Sequence, residues 1–207
     1  MPKIVDHAAR RREIAEACLR VVSRSGLTAA TTREIAKEAG VSHGIIAHYF
    51  SGKDAILRAA LQRSYEVLAE RIDLRLAGLT GSSALRRAVF DALPTGEESR
   101  TGEQIELAFW AYAMGDAQLT EERWQSYAQS RERLEPLVRD ARRDNPEGIG
   151  DPAEVTDALI ALLDGLGVQV ALYPERFPPE RLHAVADAAL TAFGFPSDAP
   201  RGGANRP

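Results

Sequence analysis

The side chains best suited to chemistry in this 207-residue chain gather between positions 32 and 53. Thr32, Arg33, Ser42, His43, His48, Tyr49 and Lys53 are hydrogen-bonding or cationic groups of the kind that reach phosphates and base edges. Gly44 lies among them, and a residue without a side chain allows close approach, either to a nucleic acid or to a neighbouring helix. A second concentration follows: Glu106, Phe109, Trp110, Tyr112, Met114, Trp124 and Tyr127. Aromatic faces beside a carboxylate suit an organic cation, while an aromatic stripe at helical spacing reads as well as plain core. Catalysis has less support. There is no G-x-S-x-G nucleophile motif and no phosphate-cradling glycine loop. Cys18 is the sole cysteine, and His7, His43, His48 and His183 lack metal-ligand spacing. Neither a metal, a cofactor nor an enzymatic activity is expected.

Positioning the first set requires two short helices and a tight turn. Thr31 with Glu34 three residues on fits a capping box that opens one helix. Ile35, Ala36 and Ala39 form its inward face, Gly40 stops it, and Ser42 can cap the next. In the second helix Val41, Ile45 and Ile46 are expected to anchor against a preceding long helix, leaving His43, Gly44, Ala47, His48 and Tyr49 outside. Ser51 and Asp54 resemble a further capping box, which places Lys53 in the first turn of a long helix, where a phosphate is favoured. This arrangement is a helix-turn-helix, a unit that inserts its second helix in the major groove.

The rest of the chain reads as helix too. Ala, Leu, Arg and Glu recur at helical spacing and alternating β-branched runs are absent, so the expected class is all-α with about nine helices. Beyond the long helix from 51, helices are expected near 83–93, 102–114, 120–143, 152–173 and 179–193, after a first one at 7–25 that ends at Gly26. Breaker-rich segments at 94–102, 145–152 and 174–179 separate them, and Pro136 should kink or split its helix. The expected domains are a DNA-binding unit over 1–55, a helical regulatory and dimerisation unit over 56–195, and a disordered tail over 196–207. Apolar runs fall short of the roughly 18 residues of a membrane span. Lys3 starts a charged N-terminus without a signal-peptide core, which implies a cytoplasmic protein with no membrane partner.

The overall charge of −4 is unfavourable for a nucleic-acid binder until it is divided. Residues 1–60 hold 10 basic and 6 acidic side chains, a net of +4; 16 basic and 24 acidic ones follow, a net of −8. Phosphate contacts must come from the N-terminal part, with Arg10, Arg11 and Arg12 as a candidate arm.

Ile35-Ala36-Lys37-Glu38-Ala39-Gly40-Val41-Ser42, then Gly44, His48-Tyr49-Phe50, Lys53-Asp54 and Leu57, resembles the N-terminal signature of the tetracycline-repressor (TetR) family. The resemblance implies a homodimer with three DNA-binding helices and a divergent helical half that binds a small-molecule effector. It assigns Thr32, Arg33, His43, Gly44, His48, Tyr49 and Lys53 to the DNA face. Ala47 departs from it, standing where many members carry a phosphate-contacting Tyr. The stretch from Gly44 to Phe50, and Leu163-Asp164-Gly165-Leu166, are similar to the BetI-like branch, which adds Asp164 to the candidate ligand set and makes choline-like ligands worth testing.

Apolar residues nearly encircle the helix expected at 152–173, and a second apolar face follows. Leu159, Leu162, Leu163, Leu166, Val170, Leu182, Ala189 and Phe193 are the expected dimer contacts, although a buried monomeric core would carry the same pattern. Together these features point to a dimeric repressor that leaves a palindromic double-stranded operator when an effector binds. A DNA-bound structural or interaction protein of the same fold, without an effector, is the other reading.

Overall fold

The computed structural model describes residues 7–196, without the side chain of Tyr112; the expected tail from 197 onward lies outside the described residues. Within them the chain forms nine α-helices and one 3-10 turn, Pro174–Arg176, and no strand. The helices are α1 (His7–Ala29), α2 (Thr32–Glu38), α3 (His43–Tyr49), α4 (Lys53–Leu76), α5 (Gly81–Ala92), α6 (Glu97–Ala113), α7 (Ala117–Asp144), α8 (Pro152–Leu172) and α9 (Pro179–Ala192).

Two apolar cores hold these helices. In the first, Ile14, Cys18 and Val22 of α1 meet Ile35 of α2, Ile46 of α3, Ile56 and Ala60 of α4, and Ile105 of α6. The second collects Leu85 and Val89 of α5, Leu134 and Val138 of α7, Leu159 and Val170 of α8, and Leu182 and Leu190 of α9. Each fully buried Ile or Leu contributes about 1.5–3 kcal/mol relative to exposure. The expected boundary at 55/56 falls inside α4, whose first turns belong to the N-terminal core, and Ile105 carries α6 into that same core. Ser23 Oγ also donates to Glu97 of α6. The N-terminal unit is therefore fastened to the rest through both α4 and α6.

Several expected boundaries are corrected. Gly26 leaves helical geometry with φ 79°, as its capping role requires, but helical turns resume to Ala29. Ser51 caps nothing: Gly52 is the N-cap of α4, with no side-chain cap bond. The breaker segment after Pro94 ends at Gly96 rather than Gly102, because Glu97 and Glu98 favour the positive end of α6 and Ser99 Oγ accepts from Gly96 N at 3.2 Å. Helix α7 runs unbroken through Pro136, which lies on an exposed side where water can satisfy the carbonyl it deprives of a donor. Helix α5 starts at Gly81, two residues before the expected 83. The Gly81 N–H donates to Asp140 at 2.6 Å and that of Ser82 to Asp144 at 2.9 Å, so carboxylates of α7 cap α5.

The expectation that apolar runs fall short of a span also needs correction. Helix α8 has a mean hydropathy of 1.6 over an 18-residue window, enough by length and composition to cross a membrane, yet only 39% of that window is buried within the chain.

Candidate functional site

Local sequence explains how α2 and α3 are set. Thr31 Oγ1 accepts from Glu34 N at 3.2 Å and Ser42 Oγ from Ile45 N at 3.3 Å, so both helices are capped by the residues that precede them. Gly40 turns the chain between them at φ 66°, a backbone region that disfavours other residues. Of the three expected anchors, Ile46 is buried and Val41 half-buried, whereas Ile45 is 39% exposed: a seven-residue helix can bury only one narrow stripe.

The expected reading residues gather on the opposite side. Arg33, Ser42, His43, Gly44 and His48 are exposed, with Thr32 and Tyr49 partly so. Thr32 Oγ1 lies 3.1 Å from His43 Nε2, joining the starts of the two helices. A Cβ placed on Gly44 would meet only Ser42 Oγ, at 3.8 Å. No neighbouring helix of the chain therefore demands a glycine there, and the internal-packing alternative falls away. His7 adds a ring to the surface, 5.3 Å from Tyr49 and 6.0 Å from His48.

Two cations near this surface have structural partners that spacing did not reveal. Arg11 donates to the Tyr49 carbonyl and lies 4.2 Å over the Phe50 ring, closing the C-terminal end of α3. Lys53 Nζ donates to the Leu27 carbonyl at 2.9 Å, tying the start of α4 to the end of α1. Glu38 clamps α2 to α1 through Arg20 at 2.8 Å and Arg24 at 3.0 Å, and hydrogen bonds from both hold its carboxyl below the usual range. Cys18 is fully buried, which pushes its thiol up to about 12 and keeps it inert.

Behind this unit lies a cavity of about 460 Å³. Arg11, Ala55 and Arg58 form its wall on the reading side; Glu106, Phe109, Trp110 and Arg123 face them, with Tyr65 between. The Arg123 guanidinium sits 4.7 Å from the Trp110 ring centre, 2.8 Å from Asp164 and 3.8 Å from Glu106. Trp110 Nε1 donates to Glu106 at 3.2 Å. The carboxylate of Glu103 lies against the backbone of Gly167, where a Cβ would overlap it. Burial, reinforced by the charges of Glu106 and Asp164, pushes Glu103 up to about 8. Burial also raises Glu106 and Asp164, opposed by Arg123.

Of the expected ligand residues, Glu106, Phe109 and Trp110 line this cavity and Asp164 backs it through Arg123. Met114, Trp124 and Tyr127 do not line it. Met114 is 87% exposed; Trp124 is 61% exposed and stacks on Tyr127, whose hydroxyl donates to Asp157 at 2.7 Å. Met114 and Trp124 lie on outward faces and Tyr127 packs partly against the second core, because helical spacing alone does not say which way a stripe turns. The side chain of Tyr112 lies outside the description. Tyr65, Glu103 and Arg123 carry no local signal in the sequence, since each owes its place to a partner on a different helix.

The expected dimer residues also divide. Leu159, Leu166, Val170 and Leu182 are buried in the chain's own core. Leu162, Leu163, Ala189 and Phe193 are half-buried. Apolar surface remains beside them at Ala161, Gly165 and Leu172 of α8 and at Ala184 and Ala188 of α9, all exposed.

Residues 12–60 match the family described as bacterial regulatory proteins, tetR family, and residues 81–194 match the BetI-type transcriptional repressor C-terminal family. The regulator BetI of Escherichia coli O127:H6 is 35% identical, over 96% of this chain and 100% of its own length. PksA of Bacillus subtilis is 32% identical over 89% of this chain and 90% of its own. Among solved structures, a transcriptional regulator from Rhodococcus sp. Rha1 superimposes with a TM-score of 0.70 at 28% identity, covering 88% of this chain and 95% of that one. A regulator from Saccharomonospora viridis, solved in complex with choline, has a TM-score of 0.76 at 24% identity, covering 89% and 96%; that likeness concerns the fold. Helix-turn-helix geometry, family match and relatives agree: the chain belongs to the TetR family of DNA-binding transcriptional regulators, with a C-terminal half of the BetI repressor type, and is not an enzyme.

Proposed function

We propose that the protein is a cytoplasmic homodimeric repressor that reads a palindromic operator through α2 and α3 and leaves it when a compact organic cation enters the cavity behind them. The carrying observation is the composition of that cavity's walls. Arg11, Ala55 and Arg58 belong to the helices that hold the reading unit, while Glu106, Trp110 and Arg123 belong to α6 and α7. An occupant touches both sets at once, so it favours one relative position of α1 and α4 against α6 and α7.

The chemistry of the cavity's Trp110 end supports a cation. At the Trp110 end, Glu106 lines the cavity and Asp164 and Glu103 stand behind it around the guanidinium of Arg123, while Arg11 and Arg58 line the opposite wall, Arg58 paired with Glu122. Arg123 holds the place a ligand cation would take, over an aromatic face and between carboxylates. A small quaternary ammonium such as choline fits the description, being apolar enough for Trp110 and Phe109 and charged for Glu106.

Dimerisation rests on the apolar strip left on α8 and α9. Gly165 is exposed and a Cβ there would meet nothing within 4 Å of its own chain, so no intrachain contact calls for the glycine while close approach of a second helix would use it. A twofold dimer sets its reading helices about 34–36 Å apart, one turn of DNA. In each protomer Thr32, Arg33, His43, Gly44, His48 and Tyr49 then face the major groove, with the positive charge of residues 1–60 directed to the phosphates.

The test is fluorescence anisotropy on the operator with and without choline or tetramethylammonium. At saturation these should weaken DNA binding at least about tenfold, the lower part of the usual coupling range, and Trp110→Ala should abolish the response while preserving DNA affinity. If neither these cations nor a panel of larger amines alters binding to an operator the protein recognises, the effector-free, DNA-bound reading takes its place.

A further inference from the structure

A second cavity, of about 760 Å³, opens between the C-terminal half of α4, α5 and α9, away from the one described above. Four guanidinium groups converge on it, those of Arg71, Arg75, Arg86 and Arg87, with His183 on the α9 side. Only two carboxylates face them. Asp91 accepts from Arg75 at 2.7 Å and from Arg87 at 2.7 Å, and its main-chain carbonyl accepts from Arg71 at 2.8 Å. Asp187 accepts from Arg86, which also donates to the Phe195 carbonyl at 2.8 Å. Four positive against two negative charges leave an excess of +2, within a stretch beyond residue 60 whose net charge is −8.

Several guanidinium N–H groups remain after these bonds, since each arginine carries five. One is an orphan: Nε of Arg71 is buried with no hydrogen-bond partner. A buried donor left unpaired is costly, and like charges gathered in one cavity repel. Thr95 and Gly96, which lead into α6, border the same space, so the positive end of that helix dipole lies beside it.

We propose that this cavity is a binding site for a small multivalent oxyanion, a di- or tricarboxylate or a phosphate ester, held by Arg71, Arg75 and Arg87. The anion takes up the excess charge and offers acceptors in the planar geometry that guanidinium forks match. Operator DNA is a poor occupant. Arg71 lies 18 residues beyond Lys53 on α4, roughly 27 Å away at 1.5 Å per residue, and so well removed from the reading face. An anion there grips the far end of the helix whose first turns hold the reading unit.

Thermal unfolding of the full chain tests the site, with citrate and pyrophosphate titrated at constant ionic strength against sodium chloride. A saturable rise in Tm is expected, roughly 5–10 °C at about 100 times the Kd. The tighter of the two anions tells carboxylate from phosphate. The double variant Arg75→Gln/Arg87→Gln should lose the shift, while Arg133→Gln, whose exposed partner Asp73 lies outside the cavity, should keep it. Asp91→Asn frees Arg75 and Arg87 and should bind at least tenfold tighter, and it serves as the deciding variant if the double variant does not fold. A shift reproduced by chloride at equal ionic strength, one retained in the folded double variant, or no binding by both wild type and Asp91→Asn overturns the proposal.

Discussion

Glu103 lies among Glu106 of its own helix, Asp164 of α8 and Arg123 of α7, and the wall behind it is the Gly167 backbone. Its folded pKa of about 8 stands above the ordinary 4.5, so between those values the folded chain binds a proton that the unfolded chain has released. Stability from this group is full below about pH 4.5 and lost as pH rises through 8. Glu103→Gln should flatten the Tm-against-pH curve between pH 5 and 8 relative to wild type; parallel curves would show that Glu103 titrates normally. On the outer surface, His48→Ala or Tyr49→Ala should weaken operator binding by roughly 1–3 kcal/mol in an anisotropy titration. Lys53 is expected to divide its role between phosphate and backbone. Lys53→Ala should reduce the salt slope of binding by about 1 and also lower Tm through the lost bond to Leu27; a lower Tm with an unchanged slope would make the residue purely structural. Residues whose task is local were legible in the sequence. Thr31, Gly40 and Ser42 act on backbone within three positions of themselves, so spacing suffices to find them. Arg11, Lys53 and Arg123 act on groups 26 to 41 positions away, and no local pattern announces such a partner.

Periodicity likewise located elements better than it located their ends. Caps taken from the next residues, as in α2 and α3, could be read; the cap of α5 could not, because Asp140 and Asp144 reach it from α7. Helix α8 shows the same limit in another form. Its apolar circumference implied burial on several sides, but only the fold separates Leu159, Leu166 and Val170, committed to the protomer core, from the strip around Gly165 that remains uncovered. This separation gives a clean test of dimerisation. A Cβ at Gly165 meets no atom within 4 Å, and Gly165→Glu replaces a poor helix former with a good one, a gain of about 0.5–1 kcal/mol for the isolated protomer. Sedimentation should show wild type as a dimer and the variant as a folded monomer with undiminished helicity. A variant that stays dimeric at micromolar concentration would move the interface off α8.

Across the whole molecule, the N-terminal unit is joined to the rest through α4, which passes out of its core, and α6, which enters it at Ile105. The cavity lies between these two connections, and the proposed cation enters there by displacing Arg123 from Trp110 and Asp164. That exchange loosens an α7–α8 ion pair and leaves a larger group wedged against Ala55 and Arg58. If the cation favours a position of α4 that operator-bound dimers disfavour, thermodynamic linkage requires the reverse effect to be equal: DNA must weaken cation binding by the factor by which the cation weakens DNA binding. Calorimetric titration of choline into the free protein and into the protein saturated with operator should give Kd values whose ratio matches, within error, the ratio of operator Kd values with and without saturating choline. Arg123→Gln, which removes the resident cation, should tighten choline in the free protein and leave that equality intact. Tighter choline binding with no change on adding operator would separate the cavity from the reading unit, and the transmission through α4 would then be wrong even though the site is real.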